Sequence, residues 1–173
     1  MIKNDAMKKI IEHTNSISED DRISVSVKEM QELFNITVKK MYDCLLLSNR
    51  ETAISKEQFN QAVLSYGDKT GYEASINERR IIDFFDSPLT VSEQYKIGRL
   101  YVKCLNNRLS LMTNNELVYL FDFNDDILTV RFHQLRKDEG IFFGDDLHQF
   151  IEPVGVLMSD ELSPNIIENK EVN

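Results

Sequence analysis

Carboxylate pairs at predicted turns are the residues of this chain best suited to chemistry. They comprise Asp125–Asp126, Asp138–Glu139 and Asp145–Asp146, with the single carboxylate of Asp122 nearby. Clustered carboxylates can bind a divalent cation for phosphoryl transfer, can steer the encounter with a basic partner, or can be solvated turn residues. Residues 122–126 lack the spacing and distal glutamate of a calcium-binding EF-hand loop. We therefore favour a docking surface over a metal site, and we expect no metal and no cofactor.

The net charge of the chain is confined to its last third. Residues 1–110 contain 16 Lys/Arg and 16 Asp/Glu, whereas residues 111–173 contain 4 and 13, which accounts for the whole net charge of −9. The boundary coincides with a change from helical periodicity to strand alternation. A concentrated negative surface determines partners and association rates. It predicts a basic protein as the partner, and not nucleic acid.

Aromatic residues lie beside the acidic turns. An aromatic centre with a charged rim is typical of the residues that dominate the binding energy of a protein–protein interface. The candidates are Phe132, Phe142, Phe143 and Phe150. The alternative is that these are core residues of the sheet, and we favour it for most of the four. One exposed residue would suffice as an anchor, and we choose Phe143.

Residues Val27–Leu45 resemble a helix-turn-helix pattern, with a polar turn at 35–37 and a second helix capped by Thr37. If this segment bound DNA, Thr37, Lys39 and Lys40 would face the bases. Such a fold docks by neutralising phosphates, yet residues 26–47 have a net charge of zero. Two packed antiparallel helices are the alternative, and we favour that structural role.

Histidine and cysteine show no catalytic or metal-binding spacing. His13, His133 and His148 are dispersed, and His133 is predicted to be a half-exposed strand residue. Cys44 and Cys104 each lie in an apolar stretch, which predicts two helical thiols packed in the core. The sequence also lacks glycine-rich phosphate loops and the serine-nucleophile motif of hydrolases.

Helix signals dominate residues 1–108. Capping-box patterns at Ser26 and Ser55 each predict the start of a helix, and Ser92 is predicted to cap a long one. Gly67 and Gly71 predict a loop between helices. We expect about five helices in this part of the chain.

Strand alternation dominates residues 109–160. Glu116–Leu135 reads as a β-hairpin around a polar turn at 124–126, and Ile141–Phe143 and Val154–Met158 are further predicted strands. The expected fold is α+β, with the helical part packed on a C-terminal antiparallel sheet of three to five strands. Residues 161–173 are predicted to be a frayed or disordered tail.

The composition is that of a globular protein, with 42% hydrophobic and 28% charged residues. No apolar run of about 20 residues and no secretory signal is present, which predicts a cytoplasmic protein. Our leading hypothesis is a non-enzymatic binding protein, most concretely an immunity protein or antitoxin that occludes the positive groove of a basic, nuclease-like toxin. The alternatives are a helix-turn-helix regulator using residues 27–47 and a metal-dependent phosphoryl-transfer enzyme.

Overall fold

The computed structural model describes residues 1–17, 25–47 and 54–162. Its α-helices are α1 (Asp5–Ser16), α2 (Val27–Phe34), α3 (Lys56–Ser65), α4 (Lys69–Ile76) and α5 (Val91–Leu109). Its strands are β1 (Ile2–Lys3), β2 (Val38–Met41), β3 (Cys44–Leu47), β4 (Arg79–Arg80), β5 (Leu117–Asn124), β6 (Ile127–Gln134) and β7 (Val154–Met158). Short 3-10 helices occupy Ile81–Phe84, Leu147–Gln149 and Asp160–Leu162. The predicted α+β class is confirmed.

Within the described residues, the main sheet has five strands in the order β1-β7-β5-β6-β4, and every neighbouring pair is antiparallel. β5 and β6 form the predicted hairpin. Its two turn residues, Asp125 and Asp126, have φ values of 49° and 61°. A two-residue turn with positive φ at both positions matches the twist of the flanking strands, and Asp tolerates that conformation better than most side chains.

Each face of the sheet carries its own core. Alternate residues of β5 and β6, including Tyr119, Phe121 and Phe132, are buried in the same core as residues of α1 and α5. The approach of α5 is close, since a Cβ on Gly98 would lie 2.6 Å from Leu128 Cδ2. The opposite face, which we call the second face, presents residues such as Val118 to the segment that follows β6.

Capping determines where the helices begin. The predicted capping boxes at Ser26 and Ser55 are both present. The predicted cap at Ser92 is wrong: Thr90 caps α5, because Glu93 stands three residues after it and completes a capping box. Ser92 is instead buried, where its hydroxyl is 3.2 Å from that of Thr14.

Gly71 lies inside α4 and not in the predicted loop. α4 begins at Lys69 because Asp68 is its N-cap, and the Asp68 carboxylate accepts a hydrogen bond from the N–H of Gly71 at 2.7 Å. A Cβ at this position would stand 2.3 Å from the carbonyl oxygen of Tyr66. The glycine therefore permits a close approach between the start of α4 and the end of the preceding segment.

The second helix of the predicted helix-turn-helix is wrong, because residues 38–47 form the β2–β3 hairpin. Tyr42 and Asp43 make its turn, with φ values of 45° and 72°. β3 is buried on both faces: Leu45 and Leu47 belong to the main core, and Cys44 and Leu46 pack with Phe59 and Tyr72 of α3 and α4. A continuous apolar run is typical of such a strand.

Two further predictions fail. Residues Ile141–Phe143 form a turn, closed by a hydrogen bond from Gly144 N to Ile141 O at 2.8 Å, and not a strand. Of the two predicted core thiols, Cys44 is buried, on a strand, whereas Cys104 is exposed on α5. Cys104 is exposed because the buried side of that helix is taken by Tyr101, Val102 and Leu105.

The helical and strand parts of the sequence share one sheet. β1 and β4 come from the first 108 residues and pair with β7 and β6, respectively. Of the predicted tail, Glu161 and Leu162 belong to a 3-10 helix, and residues 163–173 lie outside the described part of the chain.

Candidate functional site

The carboxylates of Asp125 and Asp126 are exposed at the tip of the β5–β6 hairpin. Gln94 in the first turns of α5 fixes this tip: its Nε2 donates to Asp126 O at 2.9 Å, and its Oε1 accepts from Leu128 N at 2.8 Å. The two carboxylates are therefore presented to solvent on a rigid support.

Asp122 lies on the second face and is largely satisfied within the fold. Arg131 Nε donates to its carboxylate at 3.2 Å, and the same guanidinium pairs with Glu78. Burial raises the pKa of Asp122 despite the nearby arginine. This half-buried, paired carboxylate has little capacity left for a partner.

The remaining predicted carboxylates lie on one segment, residues 137–153, which we call the strap. The strap has five acidic residues and one lysine, giving a net charge of −4. It is held to the second face by its apolar side chains, among them Ile141, Phe143, Leu147 and Phe150, which pack with Val118, Leu120, Val154 and Val156. The charged residues of the strap therefore belong to a segment whose apolar side chains form a small core with the second face.

Polar contacts tie both ends of the strap to other elements. Near its start, the Glu139 carboxylate accepts from the N–H of Thr70 at 2.7 Å. Near its end, Asn4 Nδ2 donates to the carbonyl oxygens of Phe150 and Glu152 at 3.2 and 2.7 Å. Glu139 is thus used internally, whereas Asp138, Asp145 and Asp146 are exposed. Asp146 also caps the 3-10 helix by accepting from His148 N at 2.9 Å.

Two apolar side chains of the strap reach solvent. Phe142 is 39% exposed and Ile151 is 93% exposed. The Phe142 ring lies 5.4 Å from that of Phe143, which lies 5.4 Å from that of Phe150, so the exposed ring rests on two partly buried ones. Of these three rings, Phe142 is therefore the one exposed to solvent, whereas Phe143, the predicted anchor, is partly buried.

The structure does not bring all seven predicted carboxylates together. Asp125–Asp126 precede β6 and Asp138–Glu139 follow it shortly, so the two pairs stand near opposite ends of an eight-residue strand. At about 3.3 Å per residue, that strand separates them by roughly 25 Å. The exposed acidic pairs thus form two sites, the hairpin tip and the strap, and only the strap combines charge with exposed apolar side chains.

A buried carboxylate beneath the start of the strap was missed by the sequence reasoning. Glu73 of α4 is fully buried. Its Oε1 accepts from Leu45 N at 2.6 Å, and its Oε2 accepts from Gln134 N and from Arg136 Nη1, both at 2.8 Å. Arg136 is the residue from which the strap departs, so Glu73 fixes the direction in which the strap leaves β6.

Asn77, one helical turn after Glu73, has a similar role. Its Oδ1 accepts from Leu47 N at 2.7 Å, and its Nδ2 donates to Leu45 O at 2.8 Å and Phe132 O at 3.2 Å. In the sequence, Glu73 and Asn77 are only two polar residues four positions apart, one within α4 and one at its C-cap. Nothing in the sequence distinguished them from a solvated pair.

The predicted DNA-binding residues do not lie on a helix. Thr37 is exposed just before β2, and Lys39 and Lys40 are on that strand. Without a second helix there is no recognition helix to enter a major groove. Residues 27–47 therefore do not form a helix-turn-helix.

Two of the side chains considered for catalysis, His133 and Cys44, are deeply buried. His133 is fully buried and not half-exposed as predicted, because the strap covers it. Burial, with the Glu73 carboxylate nearby, raises the pKa of the Cys44 thiol to about 12. Within residues 1–17, 25–47 and 54–162, no three His, Cys, Asp or Glu side chains are grouped as metal ligands would be.

The described helices include none with the length and apolar character to cross a membrane. No curated protein and no solved structure matches the chain significantly. A family model does match, and it covers residues 2–171. The chain therefore belongs to the family described as Uncharacterized protein PM0498 family.

Proposed function

We propose that this protein is a non-enzymatic cytoplasmic binding protein that docks onto a basic protein through its strap. The observation that carries the proposal is the composition of that exposed segment, with a net charge of −4 beside two solvent-exposed apolar side chains, Phe142 and Ile151. Apolar anchors within a charged rim are the usual anatomy of a protein interface. Such charges accelerate association with a partner of opposite sign.

The most concrete form of this proposal is an immunity protein or antitoxin that occludes the positive groove of a nuclease-like toxin. A groove that binds nucleic acid attracts polyanions, so a folded acidic segment competes for it and associates fast at low salt. The anchoring of the strap supports this, because a segment already held in one conformation loses less entropy on binding.

Matched charge neutralisation tests the proposal. The strap variant is Asp145→Asn with Asp146→Asn, which keeps an oxygen acceptor at the 3-10 cap. The comparison variant is Asp125→Asn with Asp126→Asn, because Asn also tolerates the positive φ of the hairpin turn. Each variant loses two negative charges, so a nonspecific charge effect would be equal in both.

Tagged wild-type protein and both variants would be used for affinity capture from the source cells, followed by association kinetics with the purified partner. We expect a basic partner whose association rate falls at least threefold for the strap variant and much less for the tip variant. Expression of that partner alone should be toxic, and co-expression with this chain should restore growth. An acidic partner, or equal rates for both variants, would overturn the proposal.

A further inference from the structure

The start of the strap is held by a side chain that can change its charge near neutral pH. His133 of β6 lies on the second face, fully buried beneath the strap. Its Nδ1 is 2.9 Å from the carbonyl oxygen of Gln134, and its Nε2 is 3.4 Å from the backbone nitrogen of Phe142. A carbonyl can only accept and a backbone N–H can only donate, so both contacts require the neutral imidazole with its proton on Nδ1.

Protonation would put a second N–H on Nε2, facing the N–H of Phe142. Two donors cannot hydrogen-bond to each other, so that contact would become repulsive and the amide of Phe142 would lose its partner. We infer that His133 is a pH-sensitive contact that holds the start of the strap on the sheet, and that its protonation releases the strap there.

The charged groups around the imidazole act in both directions. The carboxylates of Glu73, in α4, and of Asp68, the N-cap of α4, favour the protonated imidazole. The guanidinium of Arg136, just after β6, disfavours it. The largest effect is burial, which lowers the pKa of His133 below its ordinary value of 6.5. The closed strap therefore favours the neutral ring, and an open strap that hydrates the ring would let it protonate below about pH 6.5.

Release would affect the candidate docking segment itself. Ile141 and Phe143 flank Phe142 and pack with Val118 and Leu120 of the second face. An open strap would uncover that apolar face. It would also displace the contacting rings of Phe142, Phe143 and Phe150. The effect on partner binding rests on the proposed function, whereas the opening itself can be measured on the free chain.

The test is amide hydrogen exchange and histidine ring titration by NMR on the full chain between pH 7.5 and 5.5. After correction for the intrinsic pH dependence of exchange, we expect opening at the Phe142 amide to rise by up to about tenfold over this range. The rise should begin near pH 6.5 and level off only at the lower pH where the His133 ring of the folded chain titrates. The Phe123 amide, which donates to Pro153 O at 3.0 Å, should not change in parallel.

His133→Gln supplies a neutral acceptor that does not titrate, so it should abolish the pH dependence at Phe142. His148→Gln, an exposed histidine in the same strap, is the matched control and should leave it intact. The inference would be overturned if exchange at the Phe142 amide did not change with the protonation of His133. It would also be overturned if that exchange kept its pH dependence in His133→Gln. The wild-type titration decides alone if that variant does not fold. If opening at the Phe142 amide increases at pH 5.5 but the partner binds with equal affinity at pH 7.5 and pH 5.5, the inference about the strap stands. Only the expected effect of that opening on partner binding would be contradicted.

Discussion

Glu73 and Gln134 are 61 residues apart in the chain, yet the Glu73 carboxylate accepts a hydrogen bond from the Gln134 backbone N–H at 2.8 Å. It also accepts from the Gln134 side-chain amide at 2.9 Å and from the backbone of Leu45 on β3. A side chain of α4 thus takes the place of a strand between β3 and β6. The small hairpin and the main sheet are joined by this carboxylate and by Asn77.

Glu73→Gln should therefore be strongly destabilising. Each carboxylate oxygen accepts from a backbone N–H, and glutamine would turn an NH₂ group toward one of those donors while leaving Arg136 without its buried counter-charge. Breaking a buried ion pair by removing one partner costs about 3 kcal/mol or more. Urea unfolding followed by far-UV circular dichroism measures the loss.

Glu78→Gln is the control for that measurement. Glu78 also pairs with an arginine, Arg131, but its side chain is exposed. An exposed pair contributes at most about 1 kcal/mol, so this variant should change the free energy of unfolding little. Equal losses for the two glutamates would show that burial does not set the strength of the Glu73 interaction.

Asp43→Gly should raise the free energy of unfolding by about 0.5–1 kcal/mol. Asp43 has a φ of 72°, a conformation that glycine adopts without steric cost. In the helix that the sequence predicted here, glycine would instead be destabilising. The sign of the change in stability therefore distinguishes the hairpin from the helix. The melting temperature from thermal unfolding measures that sign.

Asp43→Asn separates the backbone effect from the loss of charge. Asp43 lies 3.4 Å from Lys69 in an exposed ion pair, which both variants remove. Asparagine keeps most of the tolerance for positive φ, so its stability should stay within about 0.5 kcal/mol of the wild type. A lower melting temperature for the glycine variant than for the asparagine variant would contradict the turn assignment.

The sequence predicted elements well where the signal was local. The capping boxes at Ser26 and Ser55 each involve residues within one turn, and the alternation of β5 and β6 spans eight residues on each side of a short turn. Such patterns need no knowledge of the tertiary structure. The sequence predicted a helix in place of the β2–β3 hairpin because Leu45–Leu47 are buried on both faces of their strand. Such burial removes the alternation of apolar and polar residues that marks a strand.

The candidate site was predicted only in part, for a similar reason. The acidic turns can be read from the sequence, but their grouping depends on where the strap crosses the sheet. That path follows from contacts between residues far apart, such as Glu139 with Thr70 and Asn4 with Glu152. Periodicity carries no information about such pairs.

Asp122→Asn should be tolerated at neutral pH, in contrast to Glu73→Gln. Burial raises the pKa of Asp122 above its ordinary value of 3.8, so the folded state disfavours its ionised form. The folded chain then holds this proton more tightly than the unfolded chain, and stability falls as the pH rises from about 3.8 through the higher folded-state pKa. Asparagine removes that unfavourable ionisation, and Arg131 keeps Glu78 as a partner.

We expect the Asp122→Asn variant to lie within about 1 kcal/mol of the wild type at pH 7. Its stability relative to the wild type should improve between pH 4 and pH 7. Urea titrations at several pH values measure both. A relative stability that falls over that range would mean that Arg131 stabilises the carboxylate by more than burial costs it.

The two thiols should differ sharply in reactivity. Cys104 is exposed on α5, whereas Cys44 is fully buried and has a pKa raised to about 12. At pH 8 a thiol with that pKa is ionised to the order of 10⁻⁴, and the thiolate is the reactive form. One thiol per native chain should therefore react rapidly with an aromatic disulfide reagent, and the second should react only on unfolding in urea. Cys104→Ser should abolish the fast reaction, whereas rapid modification of Cys44 in that folded variant would contradict the burial of β3.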